Sequence, residues 1–418
     1  RTGLTEGAIS YLRSGQREPS FKSIRALSAE LPQLAIRLSQ PRSTMDTIES
    51  AIADIRIGKM VIVLDDEDRE NEGDLIMAAD RATPEAVAFM IRYTSGIICV
   101  PMEEEGLVRL DLPQMVMANS ESHRTAFTVS VDLKAGTTTG VSSADRAATI
   151  RALADANAAA ADFARPGHIF PLRSRKGGVL VRAGHTEASV DLCRLAGLKP
   201  AGVLCEIMND DGTMARRPEL EAFAKRHNLK IGTIADLIRY RLRNERSVER
   251  LSEQTVQTDL GEFRLYAYED RVNQDVHLAL ARGRLDGPDA PLVRVHLPDT
   301  LRDLVGVRAR QGAWTLRSVM KRIADAGNGV VVILRQQESP RDLTESVRWL
   351  ASTAQSATQS ERADKTEGEG AVLRTFGVGA QILKDLGVRR MRVLSAPKQM
   401  HGISAFDLEI EGYVGEEI

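Results

Sequence analysis

The stretch Met60–Asp74, MVIVLDDEDRENEGD, decides how this chain is read. Five apolar residues run without a break into ten residues that carry seven carboxylates and one arginine. A short apolar run of this kind is a buried strand. The acidic knot at its end has two readings. It is a solvated turn, as most charge runs are, or it gathers oxygen ligands around a hard divalent cation.

The pattern around it is one of strands alternating with helices. Residues 46–60 have apolar positions at helical spacing, with Gly58 near the end. TPEAVAFMIRYTSG is a helix with Thr83 as N-cap and Pro84 in its first turn. IICVPM and TAFTVSVDL read as strands. SSADRAATIRALADANAAAADF reads as one long alanine-rich helix, capped by Ser142 or Ser143. PGHIFPLRSRKGGVLVRAGHTEASVDLCRLAGL is punctuated by glycine and runs into a helix, and GVLCEIM is a strand followed by the NDDG turn and a helix. This alternation indicates a mixed α/β (α+β) domain over 45–245. The charged segment RYRLRNERSVER marks its boundary, and a second domain occupies 250–418.

Residues 1–44 read as a net basic helical extension in which GQREPS resembles the turn of a helix-turn-helix lacking its first helix. A reader of DNA built that way cannot close its core, and Met45 reads as the natural start of the main body.

Bulk properties narrow the function classes. The 418 residues suggest two or three domains. A net charge of −2 gives no argument for nucleic acid or a membrane surface as partner. No apolar stretch approaches the length that spans a bilayer, and no signal pattern opens the sequence. Three cysteines, Cys99, Cys193 and Cys205, without metal-type spacing, fit a reducing cytoplasm.

Chemistry concentrates in four segments: DRENEGD (68–74), RPGHIFPL (165–172), RAGHTEASVDL (182–192) and GVLCEIMNDDGTMAR (202–216). Together with AGTTTGVSSADRAATI (135–150), they resemble the signature segments of the 3,4-dihydroxy-2-butanone 4-phosphate synthases of riboflavin biosynthesis. The likeness spans roughly residues 46–245. It implies conversion of D-ribulose 5-phosphate to L-3,4-dihydroxy-2-butanone 4-phosphate and formate, with magnesium, by a homodimer whose sites lie near the subunit interface.

Carried over residue by residue, the resemblance implies that Glu70 and His185 hold the ion. Arg69, Glu70 and Asp74 from the first segment bind substrate, as do Arg182, Ala183, Gly184, His185 and Thr186 from the third, and Glu206. His168 and Glu206 serve catalysis. The reaction's needs agree with these types. A ketose phosphate calls for cationic and hydroxyl donors, an enediolate for a divalent ion, and proton transfers for groups such as histidine or a desolvated glutamate. Histidine is an unusual magnesium ligand, so donor chemistry admits Mn2+ beside Mg2+. Gly73 is expected to let the chain turn so that Glu70 and Asp74 face one pocket. GTTTG could cradle phosphate or simply turn the chain.

The second domain resembles GTP cyclohydrolase II through VRVHLPDTLRDLVG, VVILRQQ and FGVGAQILKDLGVRRMRVL. That family holds zinc with three cysteines, whose positions fall here on Asp299, Arg310 and Gly312, and no cysteine follows Cys205. Thiolates are what such a site is made of. A fold that has lost this activity, with no zinc and with structural roles for His296 and His401, is therefore expected. The alternatives are a bifunctional enzyme that retains cyclohydrolase activity, and a DNA-binding regulator acting through residues 1–44.

Overall fold

The structure, a computed structural model, describes residues 45–67, 69–307, 314–335, 340, 343–344, 346–348, 369–395 and 408–415. The expectations for residues 1–44, Arg310, Gly312 and His401 lie outside the described residues.

Thr47–Ile418 pack as one compact unit built on two seven-stranded mixed sheets. The first begins with helix α1 (Ile48–Arg56), where Thr47 accepts the N–H of Ser50 at the N-cap. Strand β1 (Val61–Leu64) follows, buried throughout, and leads through the acidic loop into antiparallel β2 (Gly73–Ala78). Helix α2 (Pro84–Tyr93) starts on the expected Thr83 cap. Then come β3 (Cys99–Met102), α3 (Glu104–Arg109), β4 (Val131–Leu133), α4 (Ser143–Ala154) and β5 (Phe163–Arg173). Helix α5 (His185–Leu195), β6 (Gly202–Glu206), α6 (Arg217–His227), β7 (Lys230–Thr233) and α7 (Ile234–Asn244) complete this half.

The strand order is β4-β5-β3-β6-β2-β1-β7. Helices α1, α5 and α7 bury Ile52, Leu192 and Leu237 against Val63 and Ile76 on one face. The alternate residues Ile62, Leu64, Leu75 and Met77 are buried as well. Both faces of the central strands are therefore covered, which is why their sequences are continuously apolar rather than alternating.

Three expectations change. The alanine-rich helix, capped by Ser142, stops at Ala154, and Asp155 takes the N–H of Asn157 into a local turn before β5 begins. RPGHIF, read only as part of a glycine-punctuated approach to a helix, belongs to the eleven-residue β5. TAFTVSVDL contributes a strand only at Val131–Leu133, with bridges at Phe127 and Thr128 before it.

No linker separates the halves. Residues 239–244 of the charged connector belong to α7, and β8 (Val248–Thr258) starts four residues after its end. The second sheet contains β8, β9 (Gly261–Asp270), β10 (Asp275–Arg282), β11 (Leu292–His296), β12 (Gly329–Ile333), β13 (Arg390–Leu394) and β14 (Glu409–Val414), in the order β14-β13-β11-β12-β10-β9-β8. Helix α8 (Leu316–Ala326) covers one face through Val319 and Ile323. Helix α9 (Glu369–Asp385) covers the other through Ile382 and Leu383. Helix α9 also packs on α7 of the first half.

Candidate active site

Sheet register assembles the site. Val63 of β1 is level with Asp74 of β2, and Asp74 with Glu206 of β6. Directly opposed residues of adjacent strands share a face, with Cβ atoms about 5 Å apart. Asp74 and Glu206, 132 positions apart in sequence, are thereby neighbours at one end of the sheet.

One side chain shapes the acidic loop above them. Both carboxylate oxygens of Asp65 are engaged: Oδ2 accepts from the Glu70 N–H at 3.1 Å and from Arg69 Nη1 at 2.8 Å, and Oδ1 accepts from the Glu72 N–H at 2.9 Å. Arg216 closes the far side by donating to the carbonyls of Glu70 and Asn71. Gly73 is not the turn residue. It begins β2, and the Leu220 side chain of α6 occupies the space a Cβ would need. Arg69 also pairs with Glu70 at 2.8 Å.

RAGHT forms the start of α5, with Gly184 as N-cap and His185 as the first helical residue. The backbone N–H groups of that first turn have no intrahelical acceptor and favour an anion. Thr186 is buried there. Arg182 is held at 2.7 Å by the buried Glu187, and its other nitrogen reaches the carbonyl of His123 at 3.2 Å and Thr125 Oγ1 at 3.3 Å. Ala183 packs against the core behind the helix.

His185 is buried, and its ring is oriented by an Nε2–H donated to the Val63 carbonyl at 3.1 Å. That bond fixes the tautomer and leaves the Nδ1 lone pair facing forward. Nδ1 lies 3.7 Å from Glu70 Oε2 and 3.7 Å from Asp74 Oδ1, beyond hydrogen-bond range of either. Two atoms that each sit about 2.1 Å from one small cation stand about 3.0 to 4.2 Å apart. The gap fits an ion. Asp74 Oδ1 is also buried without a hydrogen-bond partner. Among the described residues, Asp65, Glu70 and His185 are the group whose ligand atoms lie close enough to share a metal. Of the three, Asp65 already accepts three hydrogen bonds within the loop.

Electrostatics supports the same division. Burial pulls Glu70 upward, but the His185 ring and the Arg69 charge outweigh it and hold the carboxyl at about 2. Burial lowers His185, yet Asp74 and Glu70 beside it raise the ring to about 9. Burial pushes Asp74 up to about 8. Such a crowd of perturbed carboxylates around one imidazole marks a candidate functional site.

Glu206 accepts the Ser95 hydroxyl on Oε2 at 2.7 Å, while the Ser95 N–H bonds its carbonyl. His168 stands apart from this group. Phe170 of β5 is level with Cys99 of β3, and Cys99 with Leu204 of β6. Stepping two residues from Phe170 and from Leu204 reaches His168 and Glu206 at the same end of the sheet, about 10 Å apart across β3. The His168 N–H bonds Asp132 Oδ1 at 2.9 Å, and its Nδ1 meets Asp132 Oδ2 at 2.7 Å. A carboxylate there makes Nδ1 the protonated nitrogen and leaves Nε2, on the exposed edge, able to take a proton. In the GTTTG loop, Thr137 and Thr138 turn inward to the Leu133 carbonyl and to Asp145, so their hydroxyls serve the turn.

Residue 49–240 match the family described as 3,4-dihydroxy-2-butanone 4-phosphate synthase, and 249–415 match GTP cyclohydrolase II. A 3,4-dihydroxy-2-butanone 4-phosphate synthase of Pseudomonas aeruginosa is 52% identical over 373 residues, 89% of this chain and 100% of its own length. The chain belongs to the 3,4-dihydroxy-2-butanone 4-phosphate synthase family. It shares both halves with RibBX of A. baumannii, a two-domain synthase whose crystal structure is similar at a TM-score of 0.74, with 43% identity over 89% of this chain and 100% of that one. Another solved synthase, in complex with two magnesium ions, is 47% identical and covers 48% of this chain, at a TM-score of 0.47. The synthase domain therefore comes first and the cyclohydrolase-like domain second, both mixed α/β.

Asp65, Ser95, His123 and Asp132 were not singled out by sequence reasoning. His123 Nε2 stands 4.0 Å from Glu70 Oε1. Only Asp65 carried a signal, its place in the acidic run.

Proposed function

We propose that the first domain, 45–245, converts D-ribulose 5-phosphate to L-3,4-dihydroxy-2-butanone 4-phosphate and formate. One observation carries this reading: His185 Nδ1 is aimed, through its Val63 tether, into a gap shared with Glu70 and Asp74. Glu70 and His185 would hold Mg2+ or Mn2+, which supplies charge to stabilise an enediolate as it forms. Arg182, Thr186 and the first turn of α5 receive the phosphate, with Ala183 and Gly184 bringing the backbone close. Arg69 and Asp74 orient the sugar hydroxyls. Glu206, steadied by Ser95, and His168, with Nε2 free, move protons between carbon and oxygen. The test is incubation of the full chain with ribulose 5-phosphate and Mg2+, with and without chelator. Chelator-sensitive formate is expected, and formate unaffected by chelator overturns the metal role.

His185 must give up its proton to coordinate, and the free ring is protonated below about 9. The apparent Mn2+ affinity should therefore rise about tenfold per pH unit between pH 7 and 8, with a proton released on binding. Electron paramagnetic resonance of free Mn2+ at the two pH values checks this.

Asp132→Asn is expected to lower kcat by about ten- to hundredfold with little change in KM. An asparagine can offer its amide N–H to Nδ1, which moves the ring proton to Nε2 and removes the acceptor. Steady-state kinetics on folded variant settles the effect.

We propose further that the domain at 250–418 has no GTP cyclohydrolase II activity. Asp299, at the first expected cysteine position, caps the turn at Thr300–Leu304, and His296 is tied to Asp303 at 2.8 Å. Zinc analysis and a formate assay with GTP test this, and turnover of GTP overturns it. The enzyme is read as a cytoplasmic homodimer that uses neither membrane nor nucleic acid. Exposed Met115, Val116 and Met117, on the loop that leads to His123 beside Glu70, support a subunit contact near the site. Sedimentation equilibrium measures the assembly. Among the described residues no helix is long and apolar enough to cross a membrane.

A further inference from the structure

The second half is linked to the helix that carries His185 by way of α7, through Gln381 and Arg241. Asp191, in the second turn of α5, is buried and accepts from the Val179 N–H at 2.9 Å and from Arg241 Nη1 at 2.8 Å. Arg241, on α7, is equally buried. The same Nη1 reaches the Gly177 carbonyl at 2.7 Å, just before the segment that ends in RAGHT. Its remaining edge forks onto Glu245, with Nε at 2.8 Å and Nη2 at 2.6 Å. One guanidinium thus pins three things to one another: the middle of α5, the turn before it, and the end of α7. A planar fork does this in a way an ammonium cannot.

The end of α7 is in turn closed by the second half. Helix ends leave carbonyls without partners. Here Gln381 of α9 supplies them, donating from Nε2 to the carbonyls of Leu242 at 2.7 Å and Glu245 at 3.0 Å. Its Oε1 accepts from the Ser247 N–H at 2.9 Å and hydroxyl at 3.1 Å. One turn earlier on α9, Gly377 lies so near Leu242 that a Cβ would run into that side chain. Helix α9 is therefore seated on the same turn of α7 that presents Arg241.

We propose that Gln381 and Arg241 are positioning residues for the metal site, and that the second domain serves the synthase by holding α5 in place. Asp191 lies six positions beyond His185, about 9 Å along the helix. A shift of α5 along its axis would carry Nδ1 away from Glu70, which is fixed independently by Asp65. The inference rests on the assignment of Glu70 and His185 as ligands.

The test compares the full-length chain with Gln381→Met, which keeps volume and removes every hydrogen bond of the amide, and with Arg241→Lys, which keeps charge and loses the fork. Mn2+ affinity of the substrate-free protein is read by electron paramagnetic resonance, alongside KM, kcat and near-ultraviolet circular dichroism. Each variant is expected to bind Mn2+ about three- to tenfold more weakly and to recover most of its kcat at saturating metal. A lowered melting temperature with unchanged Mn2+ affinity in both overturns the proposal, since that is what a merely structural contact gives. Weaker binding in Arg241→Lys alone overturns the part assigned to the second domain. Should Gln381→Met not fold, Gly377→Ala, which presses α9 off Leu242, takes its place with the same two outcomes. His185→Ala is carried in parallel. If it binds Mn2+ as the unaltered chain does, the ligand assignment itself has failed, and that result is distinct from the others.

Discussion

Glu70→Gln should abolish measurable Mn2+ binding and lower formate production by about three orders of magnitude, with the chain still folded. The amide removes the one fully ionised ligand of the pair, a carboxyl held at about 2 by His185 and Arg69 against the pull of burial. Charge stabilisation by a bound ion contributes several kcal/mol to a developing enediolate, and about 4 kcal/mol is three decades in rate. The loop should keep its shape, because Asp65 grips the Glu70 backbone N–H rather than its side chain. His185→Ala should match it in both measurements. Undiminished Mn2+ affinity in Glu70→Gln would move the ion elsewhere, with Asp65 and Asp74 the first places to look.

The second large effect is expected from Glu206→Gln, with KM nearly unchanged and kcat reduced by about 10²- to 10⁴-fold. Glutamine can still accept the Ser95 hydroxyl through its amide oxygen, and it stands at the same register opposite Asp74. What it cannot do is take and return a proton. The split between KM and kcat separates loss of proton transfer from loss of binding. A variant that turns over normally removes Glu206 from the chemistry and leaves His168 as the proton carrier on this side of the sheet.

The parts of this architecture written in local pattern were legible in the sequence. The buried β1, the Thr83 cap, the cap at Ser142 as one of two candidate serines, and the acidic loop each follow from contiguous residues. The edge strand β8 was not. β8 is exposed along most of its length and polar on both faces, and so carries no alternation to detect. The helix over 143–162 was overextended because alanine favours helix wherever tertiary structure allows it, and here β5 claims Phe163 onward. Within the site, the ligands sat in recognisable segments, whereas Ser95 and Asp132 became partners of Glu206 and His168 only through register between distant strands. The Arg241–Asp191 pair is of the same kind, joining positions 50 apart.

The grip of Asp65 on its own loop has a practical meaning. Because the Asp65 carboxylate ties the backbone N–H groups of Glu70 and Glu72 together with Arg69, this part of the loop draws its shape from the chain's own groups. With Glu70 and His185 proposed as ligands, metal-depleted protein is expected to take up Mn2+ without a slow conformational phase, which stopped-flow binding checks.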